Sequence, residues 1–477
     1  MTGTSAMMNE NPWALLPELL LLGGAVVGLL LGAWLPRRRQ WLVRLLAAVA
    51  ALAGLATTAL AATRPAEVVF GTSYSIDTLT HATRAVVLVA VLVALALSVD
   101  ATAGHRRETE FVVLLQLGAL GTVLLGGAND LLLLFAAFLL ASVPFYALAG
   151  WDRSALGTEA AMKYYLSGAF LSVAMLTGTA VLYGAGRSTA YGSLRDGLAT
   201  APATAAAVGL VGVLAGLLFK AGGVPGHFWV PDVTDGTPAP VAAIVTTIPK
   251  IGGLVAMYRL LLVAIPAGTI DWPLLVAVVA AVSMTLGNFA AFFQTSVQRL
   301  LAYSTISQVG YLLVAVAVAG RAGLAQAALL FYLAGYAVTN LGAFAVVAEL
   351  PHARTLDDYR GMARRRPALA AALVVCLLGL IGTPPTAVFV GKLMVFTAAV
   401  EGGFAWLAVV AIVNTVASVF YYLRWITPAF GSADDRAPSV VLQSGGVAAA
   451  ATAYACAAAA VLLGVVAGAV LPLFSAG

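Results

Sequence analysis

Charge is what this chain has least of. Asp, Glu, Lys and Arg make up 9% of its 477 residues, and hydrophobic types make up 62%. A water-soluble domain carries about 25% charged residues, so a soluble globular fold is excluded. Lysine is scarcer still: the four are Lys163, Lys220, Lys250 and Lys392, and arginine supplies the other positive side chains. Cysteine is nearly absent. Cys376 and Cys456 both fall in apolar stretches without CxxC or metal-ligand spacing, and they read as small apolar filler. No GxGxxG phosphate loop and no haem-ligand pair occurs. These absences argue against a metal, cofactor or redox centre held by this chain. Long polar segments are missing too. The longest loops run to about twenty residues, too short for a separate soluble domain.

What is present is a series of apolar runs. A membrane-spanning helix needs about 20 apolar residues. About fourteen such runs occur, near 14–34, 41–62, 78–99, 109–127, 129–149, 161–184 and 203–223 in the first half. The second half has them near 239–264, 272–293, 300–319, 323–350, 367–397, 404–428 and 447–472. The fold class is therefore an all-α polytopic membrane protein of about fourteen transmembrane helices. Met1–Trp13 holds Glu10 and no basic residue. A cleaved signal starts basic, so the first run reads as a retained span. Sixteen basic residues flank the odd-numbered loops, among them Arg37, Arg106, Arg364 and Arg436. Four flank the even-numbered ones: Arg64, Arg187, Arg195 and Arg321. The positive-inside rule then puts both termini on the outer side. It also accounts for the net charge of +5 without a nucleic-acid partner.

Three lysines, Lys220, Lys250 and Lys392, fall inside apolar runs. A lysine at mid-bilayer costs roughly 2.5–3.5 kcal/mol on insertion scales. Unlike arginine, lysine can lose its proton when desolvated, so its charge can be switched. Three such groups suggest a proton path; the plainer alternative for each is snorkelling to an interface. Two runs are also broken. The seventh passes through Gly222-Gly223-Val224-Pro225 into a loop holding Pro231, Pro238 and Pro240, and the twelfth contains Gly382-Thr383-Pro384-Pro385. Proline removes backbone hydrogen bonds and breaks a helix, and free backbone at membrane depth survives only beside protein or water. Broken helices in matching places of two halves point to a transport site; a plain kink is the alternative. The breaks at Pro225 and at Pro384 and Pro385 are five helices apart, which fits a five-helix repeat. The chain then divides into 1–105 with three N-terminal helices, a first repeat at 106–266, a second at 267–430, and a last loop and helix at 431–477, all within one membrane domain. His227 follows the first break and could relay or gate protons, or serve as a structural hydrogen-bonder. Asp232 and Asp235 read as turn-ordering groups. Arg84 and Arg259 read as snorkelling side chains.

These residues carry a family resemblance. Leu217-Leu218-Phe219-Lys220-Ala221, Pro225-Gly226-His227-Phe228-Trp229-Val230-Pro231-Asp232 and Pro249-Lys250 resemble the seventh- and eighth-helix signature of the antiporter-like membrane subunits of proton-pumping NADH:quinone oxidoreductase, respiratory complex I. Arg299-Leu300-Leu301-Ala302-Tyr303-Ser304, Asn340-Leu341-Gly342-Ala343-Phe344 and Gly391-Lys392 match further blocks. Asp358-Tyr359-Arg360-Gly361-Met362, followed by Arg365-Arg366-Pro367, resembles the subunit N family in particular. The resemblance covers nearly the whole chain. It implies two inverted five-helix repeats, with Lys220, Lys250 and Lys392 as proton-relay residues. It also implies that flavin, iron–sulfur clusters and quinone lie on partner subunits, membrane and peripheral, and that electron transfer there drives proton translocation here. Two positions depart from the family. Where the family places a fifth-helix glutamate as partner of the seventh-helix lysine, this chain has Leu139, and Gln308 stands where many relatives have histidine. Altered coupling is therefore expected, or a non-pumping structural subunit. A subunit of a cation/proton antiporter or of a membrane-bound hydrogenase shares the fold and the lysines and is the other alternative. A self-contained solute transporter is disfavoured, since no substrate-carboxylate clamp is present.

Overall fold

The computed structural model describes residues 11–432, 442 and 444–475. Glu10 and Arg436 lie outside the described residues. Among the described residues, thirteen helices are long and apolar enough to cross a membrane. A further crossing consists of two shorter pieces, Pro367–Ile381 and Ala387–Glu401. The helices used below are α1 (Leu16–Trp34), α2 (Trp41–Ala61), α3 (Thr78–Leu97), α4 (Glu108–Gly127), α5 (Leu131–Leu140), α6 (Val143–Ala149), α7 (Ala155–Gly186), α8 (Ala203–Ala221) and α9 (Trp229–Gly236). They continue as α10 (Ala239–Arg259), α11 (Trp272–Phe292), α12 (Val297–Ala317), α13 (Ala325–Glu349), α14 (Pro367–Ile381), α15 (Ala387–Glu401), α16 (Ala405–Phe430) and α17 (Val447–Val465). Between α2 and α3, strands β1 (Glu67–Val69) and β2 (Tyr74–Ile76) form an antiparallel hairpin with Val68 opposite Ser75.

Polar residues at the starts of the apolar runs fix where helices begin. The Asp77 carboxylate accepts from the Thr80 amide at 3.1 Å and caps α3. Asp130 caps α5, accepting from Leu132 N at 2.7 Å and Leu133 N at 3.1 Å. Ser154 and Ser296 do the same for α7 and α12. A side-chain cap satisfies an amide that has no partner within the helix. The fifth run, read as a single span, is in fact two helices. It breaks at Ala141–Ser142, two residues ahead of Pro144, because proline fits the first turn of a new helix but not a helix interior. The joint packs tightly on α4: a Cβ at Gly121 would lie 2.2 Å from the Ala141 nitrogen.

Burial sorts the helices into a core and a rim. The apolar window of α10 is 100% buried, that of α12 94% and that of α13 89%, against 28% for α7. The helices that carry Lys250 and the run Ser304–Tyr311 therefore form the centre. The rim turns apolar side chains such as Leu166, Phe170 and Val173 outward, as a bilayer-facing surface requires.

The snorkelling reading of Arg84 and Arg259 is corrected by the structure. Arg84 is fully buried and holds Glu18 of α1 in a bidentate pair, Nε to Oε1 at 2.7 Å and Nη2 to Oε2 at 2.9 Å. Tyr74 of β2 donates to the same carboxylate at 2.7 Å. Arg259, at the end of α10, forks onto Asp77 at 2.6 and 2.7 Å. Burial alone would push the Asp77 carboxyl up, but the Arg259 guanidinium holds it down at about 2. A buried charge is costly unless paired or hydrogen-bonded, and these two pairs tie α1, the hairpin and α3 to the helix that bears Lys250.

Candidate functional site

Lys220, Lys250 and Lys392 are at most 2% exposed, so none reaches an interface. Lys220, in the last turn of α8, donates to the Ala141 carbonyl at 3.0 Å and to the Ser142 hydroxyl. Its ammonium also sits 4.7 Å from the centre of the Phe138 ring. Lys250 of α10 donates to the Ala221 carbonyl at 2.6 Å. Lys392 of α15 donates to the Ile381 carbonyl at 2.8 Å and lies 4.1 Å from the centre of the Tyr311 ring. The three share one feature. Each ammonium meets the C-terminal end of an interrupted helix: α5 for Lys220, α8 for Lys250, α14 for Lys392. Carbonyls there have no partner within the helix and form the negative end of its dipole. A cation is thereby held without a carboxylate. Among the described residues, no ion pair includes any of the three lysines.

The chain leaves the helix at 222 and at 382 by the same turn. Gly222 and Gly382 adopt φ of 76° and 89°, a region open to glycine at no steric cost. The amides of Gly222 and Gly223 return to the Leu218 carbonyl, and those of Gly382 and Thr383 return to Leu378. This closure frees the next carbonyls, Ala221 and Ile381, for the lysines. Pro225 and Pro385 each lie three residues past the glycine, and helix resumes at Trp229 and Ala387.

The two lysines of the first half are packed together. A Cβ at Gly253, one turn after Lys250, would lie 3.1 Å from Lys220 Cγ, and a Cβ at Gly222 would lie 2.8 Å from Lys250 Nζ. Lys392 is apart from them, on the far side of α12. Polar side chains of α12 fill the interval. Gln308 donates to the Leu380 carbonyl at 2.8 Å, beside the Ile381 carbonyl that holds Lys392, and accepts from Tyr332 at 2.6 Å. Thr305 meets the Tyr336 hydroxyl, which donates to Thr246 O of α10 at 2.9 Å. Asn340 donates to the Thr246 and Thr247 hydroxyls. Thr415 donates to Tyr311 at 3.2 Å. These buried hydroxyls and amides lie between the helices of Lys250 and Lys392 in two groups, one running from Thr246 through Tyr336 to Thr305 and one from Tyr332 through Gln308 to the Leu380 carbonyl, and bridging water completes such rows where room allows. Of these residues the sequence singled out Gln308, as a departure from the family, and Asn340 only within a matching block. The signal for the rest is a polar stripe at helical spacing, Ser304, Ser307, Gln308 and Tyr311, within an apolar span.

Other expected residues lie elsewhere. His227 is 7% exposed in the non-helical stretch after α8, its ring tilted against that of Phe228, and among the described residues it makes no hydrogen bond to a lysine. Asp232 and Asp235, read as turn-ordering groups, anchor the segment after the break to its neighbours. Both sit within α9, where Asp232 pairs with Lys163 at 2.7 Å and Arg299 at 3.1 Å, and Asp235 accepts from Ser296 at 2.6 Å. Leu139 is 39% exposed, off the α5 face that meets Lys220. Among the described residues, no cluster of three His, Cys, Asp or Glu side chains could bind a metal.

Comparison with known proteins places the chain. Residues 128–418 match the family model described as NADH:quinone oxidoreductase/Mrp antiporter, TM. A relative from Streptomyces griseus, NADH-quinone oxidoreductase subunit N 1, is 64% identical over 91% of this chain and 92% of its own length. NADH-quinone oxidoreductase subunit N of Mycobacterium sp. strain JLS is 51% identical over 88% and 89%. A chain of respiratory complex I from Thermus thermophilus superposes with a TM-score of 0.83 at 33% identity, covering 97% of this chain and 100% of that one. This chain belongs to the NADH:quinone oxidoreductase/Mrp antiporter membrane family and, within it, to the NADH-quinone oxidoreductase subunit N family.

Proposed function

We propose that the chain is a membrane-arm subunit of a proton-translocating NADH:quinone oxidoreductase, with Lys220, Lys250 and Lys392 as the groups that take up and release protons. The observation that carries this is the common environment of the three lysines. Each is fully buried, unpaired by any carboxylate and seated on a helix-end carbonyl. A neutral acceptor favours the ammonium without locking it, so either protonation state can be populated as nearby charge changes. The polar row on α12 supplies the route between Lys250 and Lys392, and the lysines on α8 and α10 are close enough to sense each other. The repeats at 106–266 and 267–430, related as inverted halves, fit the two matching breaks. His227 stands at the first break as a gate or relay. Flavin, iron–sulfur clusters and quinone belong to partner subunits, and the redox chemistry stays there. The subunit sits in the cell membrane with both termini on the outer side.

A non-pumping structural role is the second reading, favoured by the lack of a carboxylate beside Lys220. Identity of the assembly is tested by purifying the tagged chain from mild-detergent membranes. Peripheral subunits carrying flavin and iron–sulfur clusters, with NADH:quinone activity, are expected. Cation/proton-antiporter partners instead would overturn the assignment.

A further inference from the structure

Among the described residues, Lys220 is met by neutral groups only, and their arrangement is specific. The joint between α5 and α6 presents the Ala141 carbonyl and the Ser142 hydroxyl to Nζ. Ser142 itself donates to the Phe138 carbonyl at 2.5 Å, which commits its proton and leaves an oxygen lone pair for the ammonium. The Phe138 ring covers the same nitrogen, adding a cation–π contact in a desolvated site. Phe219, and beside it Tyr164 and Trp229 stacked on each other at 4.1 Å, close the surroundings with aromatic surface. Leu139 takes no part. We propose that Ser142 is the positioning residue of Lys220: its hydroxyl, with the α5 carbonyl end and the Phe138 face, performs here the task of a partner carboxylate.

The physical consequence is a different switch. A carboxylate adds a full negative charge, which holds the ammonium strongly. A hydroxyl, a carbonyl and a ring offer only dipoles and a quadrupole. Lys220 then exchanges its proton on small changes in nearby charge; the titratable groups packed around this site are Lys250, Tyr146, whose hydroxyl meets Ser142, and Tyr164. Ser142 acts through orientation: its oxygen fixes where Nζ points, toward the α5–α6 joint and away from the Ala221 carbonyl that Lys250 occupies.

This inference rests on the proton-relay reading, and one experiment separates the two. The intact complex is assembled with Ser142→Ala, Ser142→Thr and Lys220→Met, and proton pumping per NADH oxidised is followed from pH 6 to 9 in sealed vesicles. Ser142→Ala is expected to move the alkaline limb of the profile about one pH unit toward acid, a tenfold change in proton affinity. Ser142→Thr keeps the hydroxyl and should restore the parent profile. Should Ser142→Ala fail to assemble, Ser142→Cys replaces it, since a thiol is a weak acceptor of similar size, and the same shift is expected. An unchanged profile in the Ala or Cys variant overturns the proposal, as does an equal shift in the Thr variant, which would mark a merely structural role. If Lys220→Met pumps as the parent does, the relay reading of Lys220 itself falls, and the Ser142 proposal with it.

Discussion

Lys250 shows most clearly what one residue contributes. It lies in a helix buried along its whole length, with the Ala221 carbonyl as its hydrogen-bond acceptor. Replacement by arginine keeps the charge but forbids its loss, because guanidinium stays protonated in proteins. Lys250→Arg should therefore lower pumping per electron as far as Lys250→Met, measured in sealed vesicles; a charge needed only for structure would be rescued by arginine. Gln308 makes a second residue-scale case. Gln308→Leu removes the donor to Leu380 O and the acceptor of Tyr332. Each neutral hydrogen bond is worth about 1 kcal/mol, so losing both weakens this part of the row by about 2 kcal/mol, and pumping at equal NADH oxidation in sealed vesicles should fall. The lysines were legible in the sequence because they are rare. The carbonyls that hold them were not, since a backbone acceptor leaves no residue type to read. The Arg84–Glu18 pair was hidden for another reason: its members are 66 positions apart, and only packing of α1 on α3 brings them together.

At the scale of elements, the breaks do the arranging. Gly382 lies at φ 89° with Lys392 Cδ 2.9 Å from where a Cβ would stand, whereas Gly403 lies at φ 83° in open space. A left-handed conformation costs a residue with a Cβ about 1–2 kcal/mol. Both Gly382→Ala and Gly403→Ala should thus lower the thermal midpoint of the purified complex, but only Gly382→Ala should also impair pumping, by displacing Lys392. Equal pumping in the two variants would show that the turn does not position the lysine. The breaks after α8 and α14 were readable from glycine and proline pairs. The α5–α6 joint was passed over because Pro144 sits two residues beyond it, in an otherwise unbroken apolar run. The Asp77–Arg259 pair clamps the other end of α10. Asp77 is held at about 2, below its value of about 3.9 when unfolded. Its contribution is therefore fully present above about pH 4 and is lost as pH falls toward 2. Asp77→Asn should cost about 2 kcal/mol at pH 6 and leave stability flatter between about pH 4 and 2, as a thermal-melt series in detergent would show.

For the whole molecule, an even number of crossings would put both ends on one side, and the charge of the loops leads us to propose that this side is the outer one. A cysteine placed at Ser475 should react with an impermeant maleimide added outside intact cells, while one placed at Arg38 should not; the reverse pattern would invert the topology. Composition sufficed to read fourteen crossings because a bilayer imposes a fixed length on every helix. It could not reveal which helices form the centre, since core and rim are equally apolar in a membrane protein. The central claim concerns that core: a buried path from Lys250 through α12 to Lys392. It is tested most directly by the proton-to-electron ratio of the intact complex carrying Lys250→Met and Lys392→Met, singly and together. The account predicts that each single change lowers the ratio and that the double change lowers it no further, because both residues serve one path. A ratio equal to the parent's in all three variants would contradict it and leave a structural subunit.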